Sequence, residues 1–175
     1  MSEPEPSVWS VHEAPGLPWS LPTNITGDLP DINVWLALAV QEHPHHAFAR
    51  AYWASVVAES ATGAQARAWF CRTTMLGLVR LLCQPKVVGA GALDLPAAWH
   101  LYQSYRAMPQ IGLLPDPLAC EAEISNLLKH TQPPARLWTD TYLAALAQSS
   151  GLRLVTFDRD FERFGLTQVL ILPRH

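Results

Sequence analysis

Asp31, Asp140 and Asp158 are the residues of this sequence best placed to do chemistry together. Three carboxylates that converge repel one another unless a cation sits among them. Hard oxygen donors at a crevice suit Mg²⁺ or Mn²⁺, ions that keep several waters and bridge to phosphate. An ion so held can activate a water and stabilise a leaving oxygen, which is the chemistry of phosphodiester hydrolysis.

The spacing argues for convergence. A helix is expected over residues 139–150, ended by Gly151, and a strand over residues 152–157. Such a helix carries the chain about 16 Å away and the strand returns it by about 20 Å. Asp158 therefore comes back to the end of the molecule where Asp140 sits. Asp31 ends an expected strand and precedes a helix, so it can join them at the carboxyl ends of the strands, where open α/β sheets bind ligands. Taken singly, Asp140 reads as a helix-start residue favoured by the macrodipole and Asp158 as the cap of the turn into residues 160–164. Their joint placement with Asp31 favours a site.

The elements that must position these groups are legible as apolar runs between breakers. Strands are expected over residues 24–30, 66–71, 111–114, 152–157 and 169–172. Helices are expected over 33–40, 45–59, 73–83, 93–106 and 139–150, with Asp94 and Pro96 starting the fourth. Residues 115–134 read as a polar connection bounded by Pro115, Pro117, Pro133 and Pro134. Helices alternating with short apolar strands predict an α/β fold built on a short parallel sheet covered on both faces. Residues 24–175 form that single domain in this reading. Residues 1–23, rich in proline and without apolar periodicity, form an irregular arm.

At these residues the chain resembles the PIN-domain ribonucleases, specifically toxins of the VapC kind. The matching pieces are Asp31 to Leu38, Glu42 to His46, Thr73 to Leu82, Thr139 to Ala147 and Leu154 to Phe161, in family order and spanning residues 28–172. The resemblance implies a PIN-like fold and an Mg²⁺- or Mn²⁺-dependent endoribonuclease, the toxin of a type II toxin–antitoxin pair. It also implies an RNA substrate, a cognate antitoxin and a homodimer. Asp31, Asp140 and Asp158 match the family's metal carboxylates, and Asn33 and Thr156 match positions that orient them by hydrogen bonding. Two departures stand out. The central helix carries Gly77 where many PIN domains place a glutamate, a loss that Asp160 or Asp116 can make good. The arm puts Asp31 later than is usual in the family.

Composition sets the outer bounds. The sequence has 175 residues, 49% hydrophobic and 15% charged, as a packed globular protein requires. A formal charge of −3 argues against the strongly basic surface of a tight, non-specific nucleic-acid binder, although all but Lys86 and Lys129 of its 12 basic residues are arginines suited to phosphate. No apolar run of about 18 residues is present, so no membrane span is expected, and Cys71, Cys83 and Cys120 read as reduced thiols of a cytoplasmic protein. His43, His45 and His46 read as a solvated helix start, Trp35, Trp69 and Trp99 as core, and Arg80 as a partner of phosphate or of a buried carboxylate. Trp9, Leu17, Trp19 and Leu21 give the arm apolar contact without a basic charge, so inhibition of the site is expected to need a second protein. Two rivals remain: a catalytically inactive PIN-like binding module, favoured by Gly77, and a haloacid-dehalogenase-type phosphatase. The latter needs D-x-D-x-T where this chain has Asp31-Ile32-Asn33-Val34-Trp35.

Overall fold

The computed structural model describes residues 27–60 and 66–174, so the arm and the start of the first expected strand lie outside the described residues. Five short strands form one parallel sheet: β1 (Asp28–Pro30), β2 (Ala68–Phe70), β3 (Ile111–Leu113), β4 (Arg153–Thr156) and β5 (Val169–Ile171), in the order β3-β2-β1-β4-β5. In register, Asp28, Leu29 and Pro30 face Arg153, Leu154 and Val155, and Thr156 faces Ile171. The chain winds outward from β1 to β3 on one side and from β4 to β5 on the other. The crevice between the carboxyl ends of β1 and β4 is therefore the point where strand order reverses.

Among the described residues, seven α-helices supply the layers: α1 (Ile32–Ala39), α2 (His46–Ser60), α3 (Arg72–Leu82), the short α4 (Pro85–Val88), α5 (Leu95–Arg106), α6 (Ala119–Thr131) and α7 (Trp138–Ser149). Alternate strand residues enter different cores, as the pleat dictates. Ala68, Phe70 and Val155 pack with α1, α2, α3 and α5 around Trp35, Tyr52 and Leu78. Leu29 and Leu154 pack instead with α6 and α7 around Leu143, Leu146 and Phe161. The sheet is thus covered on both faces. Local chemistry fixes several ends: Asp94 accepts from Ala97 N at 2.8 Å ahead of Pro96 in the first turn of α5, and Gly151 closes α7 at φ 65°.

The structure corrects the expectation at residues 115–134, where α6 replaces most of the supposed connection. Cys120, Ile124 and Leu127 recur at helical spacing and pack against α7, Glu123 accepts from Gln148 Nε2 of α7 at 2.9 Å, and Glu121 and Lys129 face outward, so the proline-bounded segment carried an amphipathic pattern. Trp35 is core, but Trp99 is 43% exposed, on the rim of an apolar groove between α3 and α5. Arg80 lies on that rim, is exposed, and forms no ion pair among the described residues. The three histidines are half-buried rather than solvated: His45 stacks on Phe157 with centroids 4.7 Å apart, and His46 Nδ1 lies 2.7 Å from the Ala37 carbonyl at the end of α1. All three cysteines are free thiols, with Cys71 and Cys120 buried. No helix of the described residues is long and apolar enough to cross a membrane.

Candidate active site

Asp31 is the first residue past β1 and the N-cap of α1. Its amide still bonds Val155 O at 2.8 Å, and its Oδ1 accepts from Ile32 N at 2.6 Å. The backbone thus leaves the sheet and enters the helix at the residue that carries the carboxylate. On Oδ2, Asn33 Nδ2 donates at 2.6 Å and Thr156 Oγ1 at 2.9 Å. Asn33 Oδ1 takes the Phe157 amide at 3.2 Å, which ties the start of α1 to the end of β4. Thr156 Oγ1 also accepts from Asn33 Nδ2 at 3.0 Å and from Asp158 N at 2.9 Å. One hydroxyl at the end of β4 thereby connects Asp31 to the backbone of Asp158.

Asp158 caps the 3₁₀ turn Arg159–Phe164, accepting from Asp160 N at 2.9 Å. Asp140 lies in the first turn of α7, where the helix dipole favours a negative charge. Burial pushes the Asp31 carboxyl up to about 7, and although Thr156 and Ile32 oppose this, the charges of Asp140 and Asp158 add to it. Burial likewise raises Asp140, followed by repulsion from Asp158 and Asp160. The fold therefore brings Asp31, Asp140 and Asp158 into one electrostatic neighbourhood. Among the described residues, no three His, Cys, Asp or Glu side chains stand close enough to ligate a single ion by themselves.

The other acids are engaged elsewhere. Asp160 pairs with Arg136 at 3.0 Å and Arg163 at 3.6 Å, and Asp116 accepts from the Tyr142 hydroxyl at 2.8 Å. Gly77 lets α3 close on α1 beside the site: a Cβ there would stand 2.5 Å from Ile32 Cδ1. Ile32, the neighbour of Asp31, thus takes space that a side chain at position 77 would need. Reasoning from the sequence overlooked Arg174, whose Nε donates to the Phe157 carbonyl and whose Nη2 lies 3.6 Å from Asp158 Oδ1. An arginine two residues beyond the last expected strand was the available signal.

The PIN domain family pattern matches residues 29–166. Ribonuclease VapC41 of Mycobacterium tuberculosis is 34% identical over 148 residues, covering 82% of this chain and 97% of the relative. Ribonuclease VapC38 of the same species is 31% identical over 129 residues, covering 73% and 82%. Among solved structures, VapBC2 from Rickettsia felis bound to a DNA fragment from its promoter matches with a TM-score of 0.59 at 12% identity, over 83% of this chain and 98% of that one. Mycobacterium tuberculosis VapC20, a sarcin-ricin loop cleaving toxin, matches with a TM-score of 0.57 at 17% identity, over 84% and 100%. At those identities the two structures speak for the fold. The matched residues run from β1 through the turn after Asp158 and so include every carboxylate described above; the chain belongs to the PIN-domain family, among its VapC-type ribonucleases.

Proposed function

We propose that this chain is an endoribonuclease toxin of a type II toxin–antitoxin pair, and that it cleaves RNA with Mg²⁺ or Mn²⁺ held by Asp31, Asp140 and Asp158. The observation that carries the metal dependence is Asp31: a carboxyl 7% exposed, at the switch point of the sheet, met by three neutral donors and two further carboxylates but by no cation among the described residues. A divalent cation is the partner such a group lacks. The donor chemistry fits a hard ion, and Mg²⁺ binds through one or two carboxylates plus waters and substrate phosphate, so a dedicated three-residue cage is not required. When bound, the ion would polarise the phosphodiester and lower the pKa of the attacking water. Asn33 and Thr156 hold the Asp31 carboxyl in one orientation, and Thr156 fixes the backbone of Asp158 at the same time. Asp160 would join as a further ligand only by giving up Arg136.

The relatives support the biological role. VapC41 and VapC38 are named ribonucleases, and the Rickettsia felis structure is of a VapBC complex. An antitoxin that covers the carboxylate crevice, a homodimer and a cytoplasmic setting complete the reading. Thermal melting with and without Mn²⁺ tests the site. An ion at about a hundred times its Kd adds about 2.7 kcal/mol to stability, and Asp140→Asn should remove most of that gain. Single-stranded RNA should be cut in Mg²⁺ and left intact in chelator. No melting shift together with no cleavage would favour an inactive binding module, consistent with Gly77 in place of the family glutamate. Cleavage that persists in chelator would remove the metal from the mechanism.

A further inference from the structure

Around the acidic crevice the described residues place four arginines, and they fall into two pairs. Arg136 and Arg163 both face Asp160, at 3.0 and 3.6 Å, so two guanidinium groups share one carboxylate. Arg159 and Arg174 instead line a common cleft of about 520 Å³ just past the carboxyl end of β5, together with Glu162, Ile171, Leu172 and Pro173. Arg174 is anchored to the Phe157 carbonyl and lies beside Asp158, yet its side chain is 47% exposed. A guanidinium has five N–H donors, so that anchorage leaves several for a ligand. Arg159 is exposed and forms no ion pair among the described residues.

We infer that the Arg159–Arg174 cleft binds a backbone phosphate of single-stranded RNA next to the phosphodiester that is cut. This rests on the ribonuclease reading and deepens it. A polyanion approaching Asp31, Asp140, Asp158 and Asp160 on a chain of net charge −3 is repelled unless fixed cations receive it. Arg174 supplies such a cation within ion-pair reach of Asp158, and guanidinium forks match phosphate oxygens. The cleft volume falls in the range of small-ligand sites, so a nucleotide's phosphate and sugar can enter it.

Binding measured in chelator, where RNA stays uncut, separates this cleft from catalysis. The probe is a labelled single-stranded RNA of roughly 12 nucleotides and mixed sequence, titrated with the full chain by fluorescence anisotropy across about 50–200 mM salt. Each lost phosphate contact should flatten the plot of log K against log salt by about 0.7. Arg159→Ala and Arg174→Ala should each do so and weaken binding several-fold, while Arg159→Lys keeps the slope. Arg80→Ala, on the rim of the groove between α3 and α5 and outside this cleft, should change neither. Unchanged affinity and slope in both alanine variants, with cleavage still abolished by Asp31→Ala, would overturn the cleft and spare the ribonuclease. The cleft falls equally if those variants lose only the affinity for an acidic protein partner. A wild-type chain that neither binds nor cuts RNA would overturn both.

Discussion

Two aspartates three residues apart, one at each end of the same strand, meet opposite fates. Asp28 at the amino end of β1 is 1% exposed, and Asp31 just past its carboxyl end is 7% exposed. Burial lifts the carboxyl of each. At Asp28 the lift is opposed by a cation: Arg153, its register partner on β4, reaches Oδ1 through Nε at 2.8 Å and Oδ2 through Nη2 at 2.9 Å. The Tyr52 hydroxyl from α2 adds a third bond at 2.8 Å. Asp31 has as many bonds, but every donor is neutral and its nearest charged neighbours are carboxylates. Burial alone therefore does not mark a functional acid. What marks it is burial without a counter-ion, because that charge is open to a ligand.

Substitutions should break this pair of ends in different ways. The largest effect expected is on cleavage: Asp31→Ala should lower it by about a thousandfold or more, several kcal/mol of transition-state stabilisation. Its stability should change by only about 1–2 kcal/mol, since the lost N-cap is offset by relief of repulsion. Arg153→Ala should do the reverse. Removing one partner of a buried ion pair costs about 3–5 kcal/mol, read as a lower urea midpoint, while correctly folded molecules still cut RNA. Similar stability losses in the two variants would erase the distinction between the ends.

A smaller effect lies in pH. Asp31 titrates at about 7 in the fold against an ordinary 3.8, so between those values the folded state binds more protons than the unfolded chain. Its contribution is then fully present below pH 3.8 and is lost as pH rises through about 7, a swing of at most about 4 kcal/mol. Urea midpoints at about pH 5 and about pH 8 should therefore differ less in Asp31→Ala than in the wild-type chain. Parallel pH profiles would mean that Asp31 is ionised throughout. The smallest effect concerns Gly77. Gly77→Ala gains about 1 kcal/mol of helix propensity but forces Ile32 to turn, so its net change should stay within about 1 kcal/mol. A loss of several kcal/mol would show that the α1–α3 contact beside Asp31 cannot adjust.

How the rest divides follows from range. Whatever depends on neighbours in sequence was legible: the helix begun by Asp94 and Pro96, the turn at Gly151, the strands around Leu154 and Leu170, and the covered parallel sheet. The amphipathic helix α6 was hidden because flanking prolines and a polar outer face outweigh three apolar residues until α7 is there to receive them. Trp99 was misjudged for the same reason, since its exposure depends on how α5 lies against α3. That Asp140 and Asp158 belong at one end of the molecule could be argued from helix and strand lengths, and Asp31 from its place between a strand and a helix. Which donors each acid would meet could not. Arg153 is 125 positions from Asp28 and Thr156 is 125 from Asp31, and only the β1–β4 register decides that the first acid receives a cation and the second a hydroxyl. The sequence by itself determined the fold class and the acids available. Tertiary structure decided which acid was neutralised and which was left for a ligand, because charge compensation acts through space and is set by pairings distant in the chain.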